Sequence, residues 1–210
     1  MKPIIFNTAM VQAILSGQKT QTRRIANAPV WTKAFVPDCI RWQIQGSKHV
    51  ARFLYRGNTI GWFDLTPPYQ KGDIMYVRET YDELPITPTG LSSGAQTYIY
   101  YRADGDLRPE AWRGAWKPSI HMPKAAARIF LKVTDVRIEH VQDITDNDAI
   151  AEGCCGREYV DENGSPIACV YPSEEFSRLW DWVAKDGYRW KDNPYVWVIK
   201  FERCEKPQGE

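Results

Sequence analysis

Four side chains that can hold or attack a substrate lie close together near the start of the chain. They are Lys19, Thr22, Arg23 and Arg24. The three cations can grip phosphate groups without any bond being broken. A threonine hydroxyl is a poor nucleophile at neutral pH and needs a base, and a lysine can serve as that base if its pKa is lowered. The segment therefore fits two kinds of chemistry, namely phosphate binding and hydrolysis.

A second group of candidate binding residues lies in the middle of the chain. Trp116 can stack on a base, the adjacent Lys117 can contact a phosphate, and His121 can act as a general acid. Packing in a loop explains the same residues equally well. Asp73 and Glu79 are carboxylates that become candidates only if the chemistry uses a divalent ion. The histidines are few and far apart, so the sequence predicts no metal site and no cofactor.

Local patterns predict the elements that position these residues. A short strand at residues 4–6 precedes a helix that Thr8 can cap and Gly17 can end. The stretch that follows is polar and extended, so its side chains alternate between two faces. Thr20, Thr22 and Arg24 share one face, and Lys19, Gln21 and Arg23 share the other. A loop conformation at Lys19 can still turn it towards the first face.

The rest of the chain predicts an α+β fold with one mixed or antiparallel sheet, or a small barrel, and peripheral helices. The expected strands are residues 74–81, 98–101, 128–141 and 195–203. Thr145 is predicted to cap one later helix, which ends near Glu152, and Ser173 is predicted to cap a second helix. Irregular insertions are expected around residues 28–70 and 82–122. A single domain spanning residues 1–210 accounts for all of these elements.

Composition limits the classes of function. The chain has 210 residues and a formal net charge of +1, so any nucleic-acid affinity has to come from a local basic patch. The five cysteines are unevenly spaced, which argues against a secreted disulfide framework. No apolar run is long enough for a membrane helix. We expect a cytoplasmic protein that has no membrane partner, and its oligomeric state is left open.

The segment at residues 14–24 resembles the signature of the ASCH domain family, which belongs to the PUA-like superfamily. Residues 71–74, 116–123 and 193–198 resemble later parts of the larger ASCH proteins that prophages often encode. The resemblance implies a PUA-like β-barrel that binds RNA. Some small ASCH proteins are amidohydrolases that remove acyl groups from N4 of cytidine, and another member is a ribonuclease. The protein is therefore expected to bind RNA or a modified nucleoside and to act as a hydrolase.

The same resemblance assigns roles to individual residues. Lys19 and Thr22 match the catalytic lysine and threonine of the small amidohydrolases, and Glu152 is the position that best matches their glutamate. Glu152 would orient the lysine or carry a proton to the leaving amine. Arg24 would hold the substrate through its planar fork. Two alternatives stay open, a non-catalytic RNA-binding module and a phage–host interaction protein.

Overall fold

A computed structural model describes residues 1–26, 39–45, 48–55, 58–64, 66–85, 97–160, 162 and 166–207. The helices are α1 (Thr8–Leu15), α2 (Asp146–Ala151) and α3 (Pro172–Val183). The strands are β1 (Lys2–Ile5), β2 (Gln21–Ile25), β3 (Cys39–Gln45), β4 (Lys48–Tyr55), β5 (Asn58–Asp64), β6 (Ile74–Arg78), β7 (Tyr81–Pro85), β8 (Thr97–Tyr101), β9 (Phe130–His140), β10 (Arg157–Val160), β11 (Pro166–Val170) and β12 (Tyr195–Cys204). Several short 3-10 turns connect them.

A mixed five-stranded sheet organises the fold, with strand order β1-β6-β9-β12-β2. β1 pairs parallel with β6, and the other three pairings are antiparallel. β9 and β12 form the longest pairing, which starts at Tyr195 opposite His140 and ends at Cys204 opposite Phe130. The predicted α+β class is confirmed, and so is the expectation that the strands near residues 74 and 195 belong to one sheet.

The two faces of this sheet carry separate cores. On one face, Val11 and Ile14 of α1 pack in a cluster with Met75, Leu131 and Ile199. The other face buries Val196 and Val198 in a cluster that includes Phe176 and Trp180 of α3. Because side chains alternate along a strand, neighbouring residues of β2 enter different cores. This alternation decides the surroundings of each candidate residue.

The helix ends agree with the sequence only in part. The Thr145 side chain accepts a hydrogen bond from the Asp148 N–H and caps α2, as predicted. Asn7, rather than the predicted Thr8, caps α1, because the Asn7 side chain accepts from the Met10 N–H. In α3 the predicted cap Ser173 lies inside the first turn, since Pro172 already takes the first helical position. Among the described residues, no helix is both long and apolar enough to cross a membrane.

Strand pairing in the described residues ends at β1 on one side of the sheet and at β2 on the other. No backbone ladder between these two strands closes a barrel in that part of the chain. Arg24 nevertheless connects them, because its Nη2 donates to the Ile5 carbonyl at 3.1 Å. A side chain of one edge strand thus reaches the backbone of the other. The closed PUA-like barrel stays a prediction.

Two predicted insertions contain regular structure. β3, β4 and β5 form an antiparallel meander within the range 28–70 that was expected to be irregular. Only two residues separate β3 from β4, and two separate β4 from β5, which is the spacing of tight hairpins. The sequences of β4 and β5 do not alternate regularly between polar and apolar residues, so the sequence pattern did not reveal these strands. In the second insertion, β7 pairs with β8, so part of the predicted loop 82–97 is a strand.

The strand predicted at residues 74–81 is divided between two sheets. β6 belongs to the five-stranded sheet and ends at Arg78, whereas Tyr81 begins β7. Glu79 and Thr80 lie between them. The backbone leaves the sheet at Glu79, whose N–H donates to Met122 Sδ at 3.2 Å and whose buried carboxylate accepts from Arg128 at 2.9 Å. An uninterrupted strand was therefore the wrong prediction here.

Candidate functional site

Lys19 is placed in the interior by the turn that ends α1. Gly17 adopts a φ of +81°, a conformation that favours glycine, and the chain then bends back so that the Lys19 N–H donates to the Ala13 carbonyl at 2.9 Å. The next N–H, of Thr20, donates to Ala151 of α2 at 2.9 Å. These bonds attach the segment to α1 and to α2 before β2 begins. The turn at Lys19, which the sequence left open, is the conformation observed.

The Lys19 ammonium meets Glu152 directly. Its Nζ donates to Glu152 Oε2 at 2.9 Å, to the Glu152 carbonyl at 2.7 Å and to the Gln21 carbonyl at 2.8 Å. Glu152 is the C-cap residue of α2. Gly153 follows with a φ of +101°, and a Cβ built there would lie 3.8 Å from Lys19 Cβ. The predicted contact between Lys19 and Glu152 is confirmed.

Thr22 and Arg24 point to the core that α1 covers. Arg24 Nη1 donates to Thr22 Oγ1 at 2.8 Å, which fixes the hydroxyl against the guanidinium. The Phe6 ring lies beside both cations, 5.3 Å from the Arg24 guanidinium and 5.6 Å from the Lys19 ammonium. Lys19 and Arg24 therefore lie over one aromatic ring, and Arg24 holds Thr22, at the gap between β1 and β2. Their predicted clustering is confirmed.

Lys19, Thr22, Arg24 and Glu152 form what we call the Lys19 cluster. The prediction that this cluster lines a solvent-accessible cleft is wrong. Lys19 is 2% exposed and Thr22 is 1% exposed, so neither side chain lines an open cleft. The cluster sits between α1, α2 and β2, which remove it from water. Burial lowers the pKa of Lys19, and the neighbouring Glu152 carboxylate opposes that shift. Burial also lowers the pKa of Arg24.

The arrangement is suited to moving a proton over a short path. A protonated Lys19 uses all three of its N–H donors on the acceptors around it. Transfer of one proton from Lys19 to the adjacent Glu152 carboxylate gives an amine with a free lone pair, and burial of Lys19 favours that neutral amine. Arg24 favours ionisation of the Thr22 hydroxyl, because its N–H donates to that oxygen. The side chains thus combine a relay with a polarised hydroxyl.

Arg23 points to the opposite face of β2, where it meets three carboxylates. Its guanidinium forms ion pairs with Glu152 Oε1 at 3.1 Å, with Asp148 Oδ2 at 3.6 Å and with Glu139. Burial of Asp148 is outweighed by Arg23 and Arg137, which lower the pKa of its carboxyl. Since Arg23 is 3% exposed, the hypothesis of a solvated basic edge that grips phosphate does not hold for it. Arg23 instead holds Glu152 from the side away from Lys19.

The second predicted group lies elsewhere. Trp116 stacks on the buried Arg108, 3.8 Å from ring centre to guanidinium, and Lys117 exchanges backbone hydrogen bonds with Tyr81. The His121 carbonyl accepts from the Tyr81 hydroxyl at 3.2 Å. Within the described part of the chain, none of the three predicted residues forms a hydrogen bond or ion pair with the Lys19 cluster. They form a segment docked on β7 and are not brought together with the predicted catalytic residues.

Some neighbours of the site carried no signal in the sequence. Phe6 is a plain apolar residue at the end of a short strand, and Glu139 alternates with Val136 and Ile138 in the way a solvent-facing residue does. Only the pairing of β9 and β2 with β12 places Glu139 beside Arg23. The described residues contain no group of three or more histidine, cysteine or acidic side chains that could hold a metal ion.

No family model, no curated protein and no solved structure matches the chain. The resemblance to the ASCH family therefore rests on the segments quoted above. The function of the protein has to be inferred from the geometry of the Lys19 cluster.

Proposed function

We propose that the protein is a PUA-like member of the ASCH family that binds RNA or a modified nucleoside and hydrolyses it without a metal. The observation that carries this proposal is the buried ion pair between Lys19 and Glu152, 2.9 Å apart, whose lysine lies over the same Phe6 ring as Arg24, the residue that holds the Thr22 hydroxyl. Burying a lysine–carboxylate pair costs desolvation free energy that the attraction between the two charges often does not recover. Proton transfer to and from the Thr22 hydroxyl would explain why this pair is kept.

For an N4-acylcytidine, each residue has a defined step. Glu152 takes a proton from Lys19, and the neutral amine then takes the Thr22 proton as the hydroxyl oxygen attacks the acyl carbon. The bond from that carbon to N4 breaks, and N4 receives a proton from Lys19. Water then cleaves the acyl-threonine ester and restores the hydroxyl. Arg24 binds the oxygen atoms that carry negative charge during both steps.

The proposal is tested by turnover of N4-acetylcytidine and of short single-stranded RNA by the purified protein. Thr22→Ala is expected to abolish turnover because it removes the attacking atom. Thr20→Ala is the matched control, since Thr20 is exposed and lies on the same segment. EDTA is expected to leave the rate unchanged. Loss of activity with EDTA and recovery with a divalent ion would overturn the mechanism.

A non-catalytic binding module is the second candidate, and one observation favours it. All three N–H donors of the Lys19 ammonium are already used, and Thr22 is buried, so the cluster also satisfies the requirements of a structural anchor. In that case the wild-type protein binds nucleosides or RNA without turnover, and Thr22→Ala binds equally well. A substrate screen with no turnover, combined with unchanged binding, decides for the module.

A further inference from the structure

A cleft of about 350 Å³ opens beside β8, on a part of the molecule that the proposed chemistry does not use. Its lining includes Tyr98, Tyr100 and Tyr101, the apolar Leu107, and the charged pair Asp104 and Arg128. This volume lies within the range of small-molecule sites. Such sites combine apolar and aromatic walls with a few polar groups that orient the ligand, which is the composition seen here.

The charged floor of the cleft is held rigidly. Arg128 forms a two-pronged contact with the buried Glu79, through Nε at 2.9 Å and Nη2 at 3.1 Å. A second two-pronged contact joins Arg128 to Asp104, at 2.6 and 2.9 Å. The guanidinium also stacks on Tyr101 at 3.9 Å. A side chain fixed on three sides presents its remaining polar atoms in one orientation, which lowers the entropy cost of binding.

Polar groups remain available at this floor. Among the residues that the structure describes, the contacts use the Nε donor and both Nη2 donors of Arg128 but only one of its Nη1 donors. Each Asp104 oxygen accepts one of these hydrogen bonds and keeps a further lone pair. The Asp104 side chain is 36% exposed and the Arg128 side chain 28% exposed, so a ligand can reach both. A donor and acceptors therefore lie side by side.

Aromatic side chains form another part of the lining. Tyr98 and Tyr100 lie on the same face of β8, and their ring centres are 4.8 Å apart. Tyr98 is 57% exposed and Leu107 is 70% exposed, which are high values for such large apolar side chains. Planar rings bind well between aromatic and apolar side chains, because stacking works for any flat π system. The cleft suits a flat heterocycle with hydrogen-bonding groups on its edge.

We propose that this cleft binds a nucleobase, with the ring against Tyr98 and the polar edge of the base on Asp104 and Arg128. An amino or imino N–H of the base donates to Asp104, and a ring nitrogen or carbonyl accepts from Arg128. Glu79 and Asp104 outnumber the single cation of the floor, so the phosphate of a nucleotide points out of the cleft. The choice of a nucleobase among flat rings rests on the proposed function, whereas the cleft itself does not depend on Lys19 chemistry.

The test is a ligand-observed NMR titration of the whole protein with cytidine, guanosine, ribose 5-phosphate and 4-methylphenol. Tyr98→Ala is expected to weaken nucleoside binding roughly five- to 150-fold, the range for removal of one base-stacking aromatic side chain. Tyr171→Ala is the matched control, because Tyr171 is 56% exposed against 57% for Tyr98. Asp104→Asn is expected to weaken binding while keeping the shape of the cleft. Ribose 5-phosphate is expected not to bind.

Three outcomes would overturn the cleft assignment. They are no nucleoside binding by the wild-type protein, equal binding by the Tyr98 and Tyr171 variants, and binding of 4-methylphenol as tight as that of nucleosides. Repeating the titration with Thr22→Ala is expected to leave nucleoside binding in the cleft unchanged, which separates the two sites. Tyr98-dependent binding by a wild-type protein that shows no turnover supports the cleft and contradicts the proposed hydrolase. Turnover without Tyr98-dependent binding supports the hydrolase and contradicts the cleft assignment.

Discussion

Two cations that each contact an aromatic ring and a buried carboxylate have opposite shifts of their pKa values. Lys19 lies beside Phe6 and contacts Glu152, and Arg128 stacks on Tyr101 and contacts Glu79. Burial lowers the pKa of Lys19 despite its carboxylate partner. Burial acts in the same direction on Arg128, but its hydrogen bonds to two carboxylates outweigh it and raise the pKa.

The difference follows from the two side chains and their exposure. A lysine ammonium is a point charge that gives up its proton when it is desolvated, whereas an arginine guanidinium stays charged in proteins. The Lys19 side chain is fully buried, and that of Arg128 keeps contact with water. The Lys19 region can therefore take part in proton transfer. The Arg128 region can bind and orient a ligand but cannot act as a base.

The largest expected effect comes from exchanging the two kinds of cation. Lys19→Arg is expected to reduce turnover by about 10²–10⁴-fold, the usual contribution of an acid–base group, because arginine cannot lose its proton. Arg128→Lys is the matched exchange and is expected to leave the rate of the chemical step unchanged. Single-turnover kinetics on N4-acetylcytidine measures both. An active Lys19→Arg protein would remove lysine from the role of base.

The next effect concerns the stability that each carboxylate provides. Glu152→Ala leaves Lys19 without a carboxylate in a buried position and is expected to cost about 3–5 kcal/mol of unfolding free energy. Glu79→Ala is expected to cost less, roughly 1–3 kcal/mol, because Arg128 keeps Asp104 and part of its hydration. Glu202→Ala, at an exposed position of β12, is the control. Urea unfolding measures all three, and equal losses at Glu152 and Glu79 would contradict the comparison.

The smallest expected effect comes from the Cys154 thiol, whose pKa reports how well water is excluded near Lys19. Burial raises the pKa of the Cys154 thiol from 9.0 to about 12, while the adjacent Cys155 is exposed. The folded protein thus keeps a proton that the unfolded chain loses. Stability should therefore be unaffected by this group below pH 9.0 and should fall as the pH rises towards 12.

Iodoacetamide labelling checks this expectation at the two neighbouring thiols. Cys155 is expected to react in the native protein, and Cys154 only after unfolding, because the thiolate is the reactive form. Peptide mass mapping distinguishes the two sites, and a Cys155→Ser protein serves as the control. Rapid native labelling of Cys154 would show that water reaches the α2 side of the Lys19 region.

Much of the fold was predictable because the relevant signals are local. The turn at Gly72 and the strand that follows it were expected and are present, with the Gly72 N–H donating to the Val133 carbonyl at 2.8 Å. The last strand was expected at residues 195–203 and occupies Tyr195–Cys204. The strand boundary at Glu79 was missed because the alternation of buried residues continues to Tyr81, while the Glu79 N–H donates to Met122 Sδ instead of to a strand. Strands without a clear alternation of polar and apolar residues, such as β4 and β5, were missed.

The candidate site was predicted in part. The resemblance brought Lys19 and Glu152 together correctly, although 133 residues separate them in the chain. It did not indicate that Lys19 is buried, that Arg23 is held by carboxylates, or that Trp116 packs on Arg108. Each of these facts depends on which elements lie over a side chain, and no residue within the same segment supplies that information.

The sequence by itself determined the cap of α2, the turn at Gly17 and the alternation of β2, because these depend on residues within a few positions of one another. The tertiary structure alone decided whether each cation meets water or a carboxylate. Pairing of β2 and β9 with β12 and the packing of α2 bring Glu139, Asp148 and Glu152 to Arg23. The pKa of a charged side chain depends on its burial and on the charges around it, and here those surroundings come from distant parts of the chain.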